Sequence, residues 1–167
     1  MKIQAFLSAL VCVTALLPSV ARADSGRQFE AIAYEYNVNA SPQIHSSRFD
    51  CKVNVLEQGM VKVVELRSFI TAKSDPDVVI RIISSNESVA SQIYNAKMEQ
   101  IAEYPKGQMV NENLFIFKSG DEKRKVSGMW YLDPDYMMSD FSIIDANGVQ
   151  LYKETVIYTA KKPSRRK

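Results

Sequence analysis

The sequence predicts an α+β domain that is mainly antiparallel β, with about eight strands forming a curved sheet or small barrel and one central helix. Three observations carry this prediction. One segment alternates strictly between apolar and polar residues, Asn147-Gly148 is a strong hairpin signal, and the pattern changes to a helical period within residues 84–104. Strands and helices do not alternate often enough for a parallel α/β fold.

The segment Arg48–Leu56 is the clearest predicted strand. Its apolar residues alternate with charged or polar ones, so each set has its own face. The apolar set is Phe49, Cys51, Val53 and Val55. One packed face and one wet face favour an antiparallel sheet. Cys51 falls on the packed side and is expected to be buried.

Seven further segments have the composition of strands, and together with Arg48–Leu56 they make the predicted eight. They are Phe29–Val38, Met60–Ala72, Val78–Ile83, Leu114–Phe117, Lys125–Leu132, Met138–Ile144 and Val149–Ala160. In the first of them, alternation places Tyr34 and Tyr36 on the same face. The alternation slips at Val63-Val64, which predicts a β-bulge there.

The predicted helix lies between the two groups of strands. Ser84 stands three residues before Glu87, the spacing of a capping box. The residues that follow recur at helical offsets, and Tyr104–Gly107, with its proline and glycine, is expected to end the helix. The apolar stripe consists of Ala90, Ile93, Tyr94, Met98, Ile101 and Ala102.

The first 23 residues have the pattern of a cleaved export signal. Lys2 provides the positive start, Ala5–Leu17 is an apolar run, and Ala21 and Ala23 supply the small residues needed for cleavage after Ala23. The alternative is an N-terminal membrane anchor, which the short run disfavours because a span needs about 20 residues. We therefore expect an exported protein, either periplasmic or secreted.

The predicted organisation has three parts: a signal peptide at 1–23, a single β-rich domain at 24–160 and a basic disordered tail at 161–167. The chain has 21 Lys+Arg and 19 Asp+Glu, and removal of Lys2 and Arg22 with the signal makes the two numbers equal. Because the tail holds much of the positive charge, the domain is mildly acidic. It therefore lacks the clustered basic surface that nucleic-acid binding needs.

The tail itself has two interpretations of equal weight. It could serve solubility alone, or it could make peripheral contact with an anionic surface such as lipid headgroups. The candidate docking residues are Lys161, Lys162, Arg165, Arg166 and Lys167.

Residues that could carry chemistry are few. His45 is the single histidine, in a loop, and Cys51 is expected to face the core, so a Cys–His pair is disfavoured. The chain has no nucleophile elbow, zinc helix or phosphate loop. Glu65, Glu112 and Glu154 are expected on solvated strand faces, and Asp133, Asp135 and Asp140 match no calcium loop. The sequence predicts no catalytic residue, no metal and no cofactor.

Aromatic residues are the more informative set. Trp130, Tyr131, Tyr136 and Met138 lie close together along the chain and form the candidate site for a ligand or partner. Core packing is the simplest interpretation. The other two are an apolar cavity inside a small barrel and a protein-binding surface.

The sequence predicts a small exported, non-catalytic binding protein that presents a sheet face or loops to a protein partner, as an inhibitor or an envelope accessory factor. The first alternative is a carrier of a small apolar ligand in a barrel cavity. The second alternative is a hydrolase with an unrecognised carboxylate or Cys/His site.

Overall fold

The fold is a closed barrel of ten antiparallel strands. The computed structural model describes residues 26–71, 73–85 and 88–162, apart from the side chain of Pro105. Within these residues, no helix is long and apolar enough to cross a membrane. The strands are β1 (Arg27–Asn37), β2 (Ile44–Gln58), β3 (Val61–Phe69), β4 (Val78–Ser84), β5 (Val89–Asn95), β6 (Gln100–Asn111), β7 (Leu114–Gly120), β8 (Arg124–Leu132), β9 (Tyr136–Asp145) and β10 (Gln150–Ala160).

The strands follow one another around the barrel in chain order. Each pairs antiparallel with the next, and β1 also pairs with β10 along a seam from Phe29↔Ala160 to Asn37↔Tyr152. This connectivity needs only hairpins, which suits a chain rich in two- to five-residue turns. Closure leaves no strand edge free for pairing with another chain. The predicted antiparallel β class is confirmed, and the curved sheet closes into a barrel.

The predicted helix is wrong, and so is the count of eight strands. The stretch from Ser84 to Gly107 forms the end of β4 and the hairpin of β5 and β6, which raises the number of strands to ten. Ser84 caps no helix, because it is the last residue of β4 and pairs with Val89.

A tight turn interrupts the stretch where the helix was expected. The Asn95 side-chain carbonyl accepts the backbone N–H groups of Lys97 and Glu99, at 2.9 and 3.0 Å. Met98 has a φ of 62°, which an α-helix does not allow. Asn side chains favour such turns by hydrogen-bonding their own backbone. The apolar stripe at helical offsets is therefore divided between two strands.

The predicted bulge at Val63-Val64 is also wrong. The β2–β3 register runs without interruption, and the alternation slips because Val63 and Val64 are both buried, one on each face of β3. The register shifts instead within the β5–β6, β6–β7 and β9–β10 pairs.

The core fills the barrel interior. On β1 it uses the face opposite to Tyr34 and Tyr36, with Phe29, Ala31 and Ala33 pointing inward. The two alanines lie opposite Tyr158 and Val156 of β10, and their small size leaves room for these larger side chains. Cys51 is buried and free, as predicted. Burial raises the pKa of its thiol to about 12.

The outward face of β3–β5 holds a charged network. Glu65 is only 7% exposed and accepts hydrogen bonds from Arg67 Nε at 2.7 Å and Arg81 Nε at 2.8 Å. The Arg81 guanidinium lies 5.0 Å from the centre of the Tyr94 ring. Burial opposes ionisation, but the bonds from Arg81 and Arg67 prevail and lower the pKa of Glu65.

Candidate functional site

One row of inward-facing residues on the inner barrel wall is the basis of the candidate site. Direct pairing links each residue of this row to the next across seven neighbouring strands. In order around the barrel, the row is His45, Glu35, Glu154, Phe141, Gly128, Phe117 and Gly107. It joins acidic side chains, aromatic rings and two glycines along one continuous row that winds along the inner wall.

The two glycines of this row, Gly107 and Gly128, differ in what surrounds them. A Cβ at Gly107 would lie 2.5 Å from atoms of Phe117 and Val89, so the Phe117 ring occupies the space that this glycine leaves. A Cβ at Gly128 would meet nothing closer than Phe141 at 3.5 Å. A Cβ at Gly128 would therefore make ordinary van der Waals contacts, so no neighbour occupies its place.

Gly128 lies in the lining of a cavity of about 200 Å³ in the barrel interior. Its walls come from β4 to β6 on one side and from β7 to β10 on the other. Six aromatic side chains line it: Tyr104, Phe117, Trp130, Phe141, Tyr152 and Tyr158. Apolar and aromatic lining with a few polar groups is typical of small-molecule sites.

The rings of the lining contact one another in two groups. Trp130 stacks on Tyr158 with ring centres 6.2 Å apart, and Tyr104 meets Phe141 edge-on at 5.9 Å. Phe141 in turn contacts Tyr152 at 6.2 Å. Such contacts favour the observed orientations of the rings around the cavity.

Glu154 is the acidic residue of this lining whose side chain points inward, from β10. The Tyr152 hydroxyl donates a hydrogen bond to its Oε2 at 3.1 Å. No lysine or arginine among the described residues forms an ion pair with it. Burial raises the pKa of Glu154, and the nearby charge of Glu35 raises it further, against the opposing effect of the Tyr152 hydrogen bond.

Glu35 and His45 continue the polar group toward solvent. Glu35 lies directly opposite Glu154 on the paired strand, and His45 Nε2 lies 3.1 Å from Glu35 Oε2. Their side chains are 26% and 45% exposed, so this pair lies at the solvent-exposed end of the row. Burial, with the charges of Glu154 and Glu35, raises the pKa of Tyr152 and keeps its hydroxyl protonated.

The structure divides the predicted site residues between two sides of the barrel. Trp130 points inward and lines the cavity. Tyr131, Tyr136 and Met138 lie on the outer surface, where the two tyrosine rings are 6.4 Å apart and the Tyr136 hydroxyl lies 3.9 Å from Met138 Sδ. Alternation along a strand requires this division of Trp130 from Tyr131. A protein partner for the outer group stays a prediction.

The residues considered for hydrolysis do not come together. His45 and Cys51 share a face of β2 but are six residues apart, which is about 20 Å along a strand. Asp135 pairs with Arg27, and Asp140 lies 3.4 Å from Lys153 Nζ. Among the described residues, no group of three His, Cys, Asp or Glu is placed to hold a metal ion.

The structure describes two residues of the predicted basic tail, Lys161 and Lys162. Lys161 Nζ lies 2.6 Å from Asp50 Oδ1, beside an open groove of about 570 Å³ whose lining mixes basic and acidic side chains. Lys162 is exposed. Arg165, Arg166 and Lys167 lie outside the described residues, as does the predicted signal peptide at 1–23.

Sequence reasoning missed Glu154 and Glu35, which it left on solvated faces or unmentioned. The signal was present in β10, where Tyr152, Glu154, Val156 and Tyr158 alternate at period two. A glutamate on the same face as a valine and two tyrosines faces the interior once the barrel closes. Glu65, also expected to be solvated, is buried by its arginine partners.

Comparisons with known proteins identify no family and give only distant structural matches. No protein-family model matches the chain, and no curated protein matches it. The solved S-type phycobiliprotein lyase from Guillardia theta is 9% identical with a TM-score of 0.40, covering 84% of this chain and 90% of its own.

Two further structures are more distant. A protein described as a thioesterase II from Thermobifida fusca is 8% identical, with a TM-score of 0.19, over 81% of this chain and 79% of its own. A tesB protein of Mycobacterium avium subspecies paratuberculosis is 11% identical, with a TM-score of 0.19, over 93% of this chain and 86% of its own. Values this low do not identify a function.

Proposed function

We propose that this protein is a non-catalytic carrier that binds a small, largely apolar ligand inside its barrel. The observation that carries the proposal is the cavity of about 200 Å³ with six aromatic side chains in its lining. We further propose that it acts after export, as residues 1–23 predict.

The size of the cavity limits the ligand. An engineered apolar cavity of about 150 Å³ is large enough to bind benzene. A slightly larger space, with aromatic walls on several sides, suits a substituted single ring or a short branched chain. Long fatty chains and multi-ring pigments would require the barrel to expand.

The contacts among the rings support binding rather than incomplete packing. A Cβ fits at Gly128 without close contact, and the cavity beside it lies among rings that contact one another. An unfilled cavity forfeits stability, because the atoms that line it lose dispersion contacts. A bound ligand would restore those contacts.

Titration with tert-butylbenzene, a neutral branched ring compound, tests this proposal. Trp130 is the single tryptophan and lines the cavity, so its fluorescence reports occupancy directly. We expect saturable binding by wild type and at least a tenfold loss of affinity in Gly128→Val, because the added side chain enters the cavity.

Ser127→Val is the matched control, since Ser127 is exposed on the opposite face of the same strand. It should bind as wild type does. Circular dichroism shows whether each variant folds. Absence of saturable binding to wild type, or equal binding by a folded Gly128→Val variant, would refute a ligand site in this cavity.

A further inference from the structure

The charges around the cavity are of one sign. Glu154 and Asp140 are in its lining, and Glu35 lies opposite Glu154 on β1. Among the lining residues that the structure describes, none is lysine, arginine or histidine. Asp140 lies on the outer face of β9, as Met138 does, and its carboxylate is 3.4 Å from Lys153 Nζ and accepts a hydrogen bond from Thr155 at 2.8 Å. Glu154 is therefore the acid whose side chain points into the cavity.

The two inward glutamates, Glu35 and Glu154, repel each other. Like charges directly opposite on paired strands repel, and this arrangement costs stability in the empty protein. His45 is a partner for Glu35 at the solvent-exposed end of the row, with its Nε2 3.1 Å from Glu35 Oε2. The equivalent partner for Glu154 would have to come from the cavity itself.

Aromatic rings complete the arrangement on the other sides. Tyr152 and Phe141 are the nearest ring neighbours of Glu154 along and across the strands, and the Trp130–Tyr158 stack lies farther in. The faces of such rings attract organic cations, most strongly when water is excluded. A carboxylate beside several aromatic rings is complementary to a positive charge carried on an apolar body.

We propose that the ligand is a small organic cation, an alkylated amine or quaternary ammonium on a hydrocarbon or ring body, with Glu154 as its counter-ion and the aromatic lining around it. This inference rests on the proposed carrier function and specifies its ligand class. The neutral part of the ligand fills the space beside Gly128, and the charged part lies toward Glu154 and Tyr152.

This assignment also gives binding a pH dependence. Glu154 must be ionised to act as a counter-ion. The titratable groups around it are Tyr152 and Tyr158 on its own strand, Tyr104 in the cavity lining, Glu35 opposite it and, through Glu35, His45. Affinity for the cation should therefore fall as the solution becomes acidic. Affinity for a neutral ligand of the same shape should change little.

The test compares phenyltrimethylammonium with tert-butylbenzene, which has the same shape but carbon in place of the charged nitrogen. Calorimetric titration of the full chain measures both. We expect wild type to bind the cation at least tenfold more tightly than the neutral compound. In Glu154→Gln, which keeps the shape and removes the charge, this preference should disappear while neutral binding persists.

Glu112→Gln removes an equal charge from an exposed position and serves as the control, so its preference should match wild type. If Glu154→Gln does not fold, the ratio of the two affinities in wild type at acidic and neutral pH gives the same information. Equal or tighter binding of the neutral compound would overturn the cation assignment and leave the carrier function intact. Failure of both compounds to bind would refute the carrier function itself.

Discussion

Two glutamates on opposite faces of the barrel wall differ in what surrounds them. Glu65, on the outer face of β3, has two arginine partners within 2.8 Å, and these hold its pKa below the ordinary value. Glu154, on the inner face of β10, has one tyrosine hydroxyl and a second carboxylate near it. Burial and that carboxylate raise its pKa.

The difference separates a structural acid from a binding acid. The charge of Glu65 is fully compensated within the protein, so ionising it stabilises the fold. The charge of Glu154 is not compensated by any described cation, so ionising it costs stability until a positive group arrives. A buried carboxylate without a compensating cation, placed beside a cavity, indicates a ligand more strongly than the carboxylate or the cavity would alone.

The largest expected effect is loss of the outer network. Glu65→Gln should lower the free energy of unfolding by about 2–3 kcal/mol at neutral pH, because it leaves two partly buried guanidinium groups without a counter-charge. Urea unfolding measures this value. Glu30→Gln is the matched control, since its contact with Arg48 is 3.7 Å long and both side chains are exposed.

The pH dependence of this first effect has a definite sign. A carboxyl group with a lowered pKa in the folded state contributes stability above its ordinary value of 4.5 and loses it as the pH falls through the folded-state pKa. The wild type and Glu65→Gln should therefore converge in acid. An unchanged difference at low pH would show that the network stabilises by packing rather than by charge.

A smaller effect of opposite sign is expected inside the barrel. Glu154→Gln should raise the free energy of unfolding at neutral pH by about 1 kcal/mol or less, because the raised pKa makes ionisation of Glu154 unfavourable in the folded state. Below the ordinary value of 4.5 the carboxyl is protonated in both states, so the gain should vanish. Thermal unfolding at acidic and neutral pH checks both statements, and destabilisation at neutral pH would contradict them.

The smallest effect isolates the interaction between the two inner acids. In Glu35→Gln, the pKa of Glu154 should move down toward its ordinary value, because repulsion from Glu35 is one cause of its elevation. The side-chain carboxyl resonance of Glu154, followed by NMR against pH, measures the change. In Glu30→Gln, an exposed site on the other face of the same strand, the titration should stay as in wild type.

Sequence reasoning succeeded where one face of a strand is charged and the other apolar. The segment around Cys51 in β2 has this pattern, and its strand, its burial and its antiparallel pairing were all predictable. Asn147-Gly148 also marks its hairpin correctly, with Gly148 at a φ of 83°. In these places local chemistry and the tertiary fold require the same structure.

Sequence-based prediction failed where both faces of a strand are buried, because the alternation of apolar and polar residues then disappears. In β5 the residues Val89 to Gln92 are all buried, so no polar face marks the strand, and chance offsets imitate a helix. The site was hidden for a related reason. Glu154 shares a face with apolar residues, but that face could be recognised as an interior only after ten strands close into a barrel.

The seam between β1 and β10 joins the two ends of the described chain and so affects the order of folding. Every other pairing is a local hairpin that can form as soon as its turn exists, whereas the seam must wait for almost the whole chain. Contacts of such long separation slow folding, because loop entropy is lost before the contacts form. Tyr152, Glu154 and Tyr158 all lie on β10, so the strand that closes the seam is also a wall of the pocket. A molecule held there would act on folding itself, by trapping the closed form and slowing the reopening of the seam.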